Sequence, residues 1–163
     1  MRLAVVAVGA ARGPEKTLVD DYAARIRRAG PSIGFRDFET IEVDASRRAE
    51  RQRRRAEEGE RLMAAAGGTT SPILLDERGA RVDSLAFAER LAAWRDEGRR
   101  GATFLIGGAD GHGPEIRAAT QAAGGESVSL GALTWPHLLA RIMLCEQIYR
   151  AVSILSGHPY PRA

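Results

Sequence analysis

The chain has 163 residues, 44% apolar and 28% charged, a size and balance that suit one hydrophobic core and argue against general disorder. A single cysteine, Cys145, excludes an internal disulfide and with it the class of small exported folds stapled by bridges. Net charge is +3, a modest bias toward polyanions such as nucleic acid; the use of arginine in place of lysine, with Lys16 as the one exception, reads first as the mark of a GC-rich genome.

The first apolar run, residues 3–8, predicts a strand, and the opening MRLAVVAVGA is too short for an export signal. Gly13 and Pro14 then open a helix that reaches about Ala29, with proline in the first turn, where its missing N–H costs nothing. Residues 38–43 give a second strand. The segment 46–66 is different: seven arginines and four glutamates fall between 47 and 61, and Leu62 and Met63 are almost its only large apolar groups. An exposed helix is predicted, supported by Glu50 with Arg54 and Glu57 with Arg61, four residues apart. A solvated face is the plain expectation for it. The sharper alternative is that Arg51, Arg53, Arg54 and Arg55 grip RNA phosphates.

Residues 72–76 form the third predicted strand. A helix follows, capped by Asp83 or Ser84, with Leu85, Ala88, Leu91 and Ala92 on one face and Gly98 at its end. Residues 102–106 and 127–130 are further strands, separated by a short helix from Pro114. The last helix starts at Pro136 and carries Leu138, Ile142, Cys145, Tyr149 and Val152 at spacings of three and four. Within it Arg141, Glu146 and Arg150 tell against a membrane span, and a cytoplasmic location is expected. Apolar runs alternate with helical patterns without a long linker. One domain over residues 1–163 is therefore expected, an α/β fold with a mostly parallel five- to six-stranded sheet flanked by helices.

Two loops carry the chemical signal. The run FLIGGADGHG at 104–113 is a strand entering a loop with glycine at 107, 108, 111 and 113. Glycine lets backbone approach a ligand closely, and ligands of open α/β sheets gather at the carboxyl ends of the strands. The spacing is not the dinucleotide fingerprint, and no Gly-Lys-Ser/Thr occurs, so ordinary dinucleotide and ATP sites are disfavoured. The second loop, LGALTWP at 130–136, offers apolar side chains for a purine face and backbone groups for its edge. Taken alone it is as readily a plain strand-to-helix connection. His112 reads equally as a loop ligand or an exposed turn residue, Asp110 as a turn stabiliser, and His137 as a capping or packing residue.

Together the motifs resemble the RlmH family of SPOUT methyltransferases, which methylate N3 of a pseudouridine in large-subunit ribosomal RNA. The resemblance lies in VAVG at 6–9, LLDERG at 74–79, FLIGGADG at 104–111, SLGALTWPH at 129–137, EQIYRA at 146–151 and HPY at 158–160. It implies a C-terminal deep trefoil knot, a homodimer with each active site at the subunit interface, and S-adenosylmethionine as cofactor. By position the resemblance places the cofactor against Leu75, Gly107, Gly108, Leu130, Gly131, Ala132, Leu133, Thr134 and Trp135. Its substrate would be ribosomal RNA in the assembled ribosome. Neither metal nor membrane is implied.

The chemistry asks for an in-line nucleophile at near-attack distance and, because the imide N3 is protonated at neutral pH, for a cation or base beside it. Arg150, Tyr160 and Arg162 are the catalytic candidates. For Arg150 a helical ion pair with Glu146 is an equal alternative. The family commonly ends His-Pro-Tyr-His and a basic residue, and here Pro161 stands in place of the second histidine. Activity is still expected, with the tail acting by positioning and charge.

Overall fold

A computed structural model describes residues 1–158. The elements in chain order are β1 (Arg2–Val8), α1 (Gly13–Ala29), a short 3-10 turn (Gly30–Ile33), β2 (Asp37–Val43), α2 (Arg51–Ala66), β3 (Ser71–Arg81), α3 (Ser84–Asp96), β4 (Gly101–Ile106), α4 (Pro114–Ala122), β5 (Glu126–Ser129) and α5 (His137–Leu155). All five predicted strands form, in one sheet of order β2-β1-β4-β3-β5, and every pairing is parallel.

The sheet is buried on both faces, as an all-parallel sheet with crossover helices must be. On one face Leu3, Val5, Ala7, Ile73, Phe104 and Ile106 pack with α1, α3 and α5. On the other, Val6, Val8, Leu74 and Leu105 meet Leu62 of α2 and Ile116 of α4. Strand residues alternate between these two clusters because successive side chains point to opposite faces.

Three expectations change. β3 runs to Arg81, well beyond residue 76, because its register against β5 breaks: Leu75 and Ala80 both face Val128. The excursion brings Gly79 against β5, and a Cβ there would stand 2.5 Å from the Val128 carbonyl carbon. The polar composition of 77–81 hides this from a hydrophobic pattern. In α3 the buried face is Phe87, Ala88, Leu91 and Trp94, while Leu85 is exposed. Asp83 is the N-cap, its carboxylate accepting from the Ala86 N–H at 2.8 Å.

The arginine-rich helix is shorter and less exposed than predicted. It begins at Arg51, and Glu58, Gly59 and Leu62 are buried. A Cβ on Gly59 would come within 3.0 Å of Ile116 Cβ, so glycine is what lets α2 pack close to α4. Glu57 pairs with Arg61 as expected, at 2.7 Å. Glu50 pairs with Arg53 instead of Arg54. Along α5, Cys145 and Val152 are buried as predicted, with Leu138, Ile142 and Tyr149 half-buried and Leu139 exposed.

Candidate active site at the carboxyl edge of the sheet

Because all strands run the same way, the segments after β1, β3, β4 and β5 leave the sheet on one edge. The two glycine-bearing loops singled out in the sequence therefore share that edge. Leu75 lies in β3 beside Val128 of β5. Gly107 and Gly108 follow β4, and Gly107 packs so closely under Gly111 and His112 that a Cβ would meet the Gly111 carbonyl carbon at 3.1 Å. The N–H of Gly111 closes the turn on the Gly108 carbonyl at 3.0 Å.

After β5, Ser129 pins the other loop. Its hydroxyl donates to the Gly131 carbonyl at 2.9 Å and accepts from the Gly131 N–H at 3.2 Å. Gly131 has φ +109°, a conformation side chains rarely adopt, and open space where a Cβ would be. Ala132 to Trp135 are exposed, with Leu133 69% accessible. A cavity of about 550 Å³ borders this loop and is lined by Leu130 and Gly131 together with Tyr22, Phe87, Val128 and Ile142. Leu75, Gly107 and Gly108 do not line it.

His112 is buried, which removes the exposed-turn alternative. Its Nε2 lies 3.2 Å from the Leu105 carbonyl, and burial, partly opposed by Asp76, holds its pKa below the ordinary histidine value. Asp76 has a side chain 3% accessible and accepts from Arg117 Nε at 2.7 Å. Burial works to raise that carboxyl, but the Arg117 hydrogen bond and the Arg78 N–H outweigh it and hold the pKa below the usual carboxylate range.

Arg141, on α5, is a buried cation that the sequence presented only as an obstacle to a membrane span. It is 2% accessible, and its guanidinium donates to Glu42 at 2.7 Å, to the Gly9 carbonyl at 2.7 Å and to the Val8 carbonyl at 3.3 Å. The N–H of Ala11 donates to the same Glu42 oxygen. The loop after β1 is thus tied to β2 and α5 by one ion pair. Its only sequence signal is a charge among positions that the helical repeat buries.

His137 starts α5 beside Gly9, with Nε2 3.8 Å from where a Gly9 Cβ would stand. Burial and Arg141 lower its pKa, against the pull of Glu58. Arg150 bonds Glu146 through two nitrogens, at 2.9 and 2.7 Å. Tyr160 and Arg162 lie outside the described residues.

Asp110 does more than stabilise its turn. Each of its carboxylate oxygens faces a guanidinium of α2, Oδ1 with Arg51 and Oδ2 with Arg54. Among the described residues no group of three or more His, Cys, Asp or Glu side chains is placed to hold a metal ion, and no helix is long and apolar enough to cross a membrane.

The predicted SPOUT methyltransferase family model matches residues 1–161. The chain belongs to the SPOUT methyltransferase family. It is 46% identical to the ribosomal RNA large subunit methyltransferase H of Rhodopseudomonas palustris strain BisA53 over all of both chains. To the protein of the same name from Nitrobacter winogradskyi it is 47% identical over 99% of each. Among solved structures, a hypothetical protein shares the fold with a TM-score of 0.51 and 13% identity, covering 94% of this chain and 85% of that one. The family assignment accords with the parallel sheet flanked by helices.

Proposed function

We propose that this SPOUT chain uses S-adenosylmethionine to methylate N3 of a pseudouridine in large-subunit ribosomal RNA within the assembled ribosome. It would work in the cytoplasm, as a single-domain chain in a homodimer, with the deep knot that the family resemblance implies. The observation that carries this reading is the full-length relation, at nearly half identity, to proteins named ribosomal RNA large subunit methyltransferase H.

The loops fit such a cofactor. Gly131 has open space on its Cβ side, the neighbouring cavity is large enough for a nucleoside, and Leu133 and Trp135 are apolar groups left exposed on the same loop. We assign Leu75, Gly107, Gly108 and the run Leu130, Gly131, Ala132, Leu133, Thr134 and Trp135 to cofactor binding. Bound there, S-adenosylmethionine supplies an electrophilic methyl group on a sulfonium.

This chain's residues would hold the nucleobase in line with that methyl group and exclude water. Arg150, Tyr160 and Arg162 are the groups we assign to orienting the base and stabilising the charge left when N3 loses its proton. Arg150, half-buried on α5, is held by Glu146, whose Oε1 accepts from both Nε and Nη2.

Pro161, in place of the family's second tail histidine, favours one alternative, a ribosome-binding factor that no longer transfers methyl groups. Purified protein with ribosomes and labelled S-adenosylmethionine separates the two. Label is expected at a pseudouridine of the large-subunit RNA, located by mass mapping of digested RNA. Cofactor binding without incorporation establishes the alternative, and label in transfer RNA alone overturns the ribosomal substrate.

A further inference from the structure

The glycine loop 107–113 is held from outside by one helix. Glu58 of α2 stands beside Gly108, its Oε2 2.8 Å from where a Cβ would be. Arg54 donates through Nε at 2.9 Å to Asp110, with Nη2 2.8 Å from the same oxygen. Arg51 takes the other carboxylate oxygen at 3.2 Å. Arg55 donates to the His112 carbonyl. Alternate loop residues 108, 110 and 112 thus meet one face of α2, positions 51, 54, 55 and 58, while Gly111 meets nothing on its Cβ side.

We propose that Asp110 is a positioning residue that sets the cofactor loop through α2, and that Arg51 makes the same latch sensitive to RNA phosphate. The proposal rests on the reading of loop 107–113 as a cofactor site. Two guanidinium groups share one carboxylate, and they differ in access. Arg54 is 28% accessible and is also tied to the carbonyls of Arg48 and Ala49 at 2.9 and 2.7 Å. Arg51 is 67% accessible and reaches Asp110 from the solvent side of the pair.

A phosphate approaching the exposed Arg51 competes with Asp110 for it, and Arg47, Arg48 and Arg53, exposed within four residues of it in the chain, add to the local positive charge. Exposed pairs are weak, so the exchange costs little for a polyanion that neutralises several arginines at once. Once Arg51 turns outward, Asp110 keeps only half of its clamp and the loop loosens. Linkage makes the effect reciprocal: phosphate bound at Arg51 weakens the cofactor by the same factor by which bound cofactor weakens the phosphate.

The test is calorimetric titration of the whole protein with S-adenosylmethionine at low salt, with and without a short single-stranded oligouridine. Thermal melting of each variant serves as a check on folding. Asp110→Asn is expected to bind the cofactor about tenfold more weakly, a coupling of ordinary size. For the unaltered protein, oligouridine should weaken the cofactor several-fold. Arg51→Gln, which removes the same half of the clamp, should by itself weaken the cofactor several-fold, as oligouridine does in the unaltered protein, and should lose any further oligouridine effect.

Equal cofactor affinity in Asp110→Asn overturns the latch, as does an oligouridine effect of the same size in Arg51→Gln. If the unaltered chain ignores S-adenosylmethionine altogether, the cofactor reading itself falls and takes the latch with it.

Discussion

At the scale of single residues, burial decides which groups are reactive and which are structural. Cys145 is fully buried, and burial pushes its thiol up to about 12. At pH 8 the thiolate fraction is then on the order of one in ten thousand. The folded protein is expected to resist a thiol reagent that modifies it at once in denaturant; rapid labelling of the native form would contradict this. Asp76 behaves in the opposite sense. Its pKa is held below the ordinary value in the folded state, so its stabilisation is present above the unfolded pKa and disappears as pH falls through the folded one. Asp76→Asn leaves the Arg117 guanidinium without its partner and should cost about 3 kcal/mol near pH 7. That corresponds to roughly 6–12 °C in melting temperature for a chain of this size. The difference from the unaltered protein should shrink below about pH 4, the region of an unperturbed carboxyl. A gap that persists undiminished at pH 3 would remove the ion pair as its cause.

At the scale of elements, what could be read in advance followed how each element is buried. Strands β1 and β4 are apolar runs and β2 alternates apolar with polar residues, which suffices to find them, while the short β5, Glu126-Ser-Val-Ser129, is marked mainly by its place between two helices. The second half of β3 could not be found this way, because its pairing with β5 is resumed after a register break and it reads Glu77-Arg-Gly-Ala-Arg81. In α2, two of the four arginines first considered as phosphate ligands face inward. Arg54 binds Asp110, and Arg55 binds the His112 carbonyl. Those partners lie 56 and 57 residues away, beyond any local pattern. The two loops proposed to hold the cofactor stand out in the sequence because of their glycines. The glutamate, aspartate and arginine groups that hold them do not, since only the tertiary fold brings them together. The exposed arginines in and before α2 are now better defined: Arg47, ahead of the helix, is exposed, and Arg53 is 74% accessible and paired with the exposed Glu50. Reversing both to glutamate is expected to weaken ribosome binding by at least tenfold at low salt and to flatten its salt dependence. Cofactor affinity should hold. Ribosome binding that is unmoved in a sedimentation assay would make this face solvated surface and nothing more.

At the scale of the whole molecule, the helices α1 and α5 lie side by side, and each leaves large apolar groups in solvent. Leu18 is 46% and Leu139 is 45% accessible, with Leu133 and Trp135 on the loop leading into α5. Such exposure is what a subunit interface would cover, in keeping with the proposed homodimer. Leu139→Asp should shift the protein to a monomer in analytical ultracentrifugation while its thermal unfolding remains cooperative. Methyl transfer should fall with dimer content if the active site is shared. A dimer of unchanged stability would place the interface elsewhere.

Arg141 has a consequence for how the chain is made. Its guanidinium supplies the donors for the carbonyls of Val8 and Gly9, 133 and 132 residues earlier, and the counter-charge for Glu42, 99 residues earlier. During synthesis the amino-terminal strands therefore leave the exit tunnel before the group that completes them has been translated. Contacts of such long sequence separation form late and slowly. A nascent chain stalled before α5 should display an open amino-terminal half, sensitive to protease, that closes only when the final helix is released.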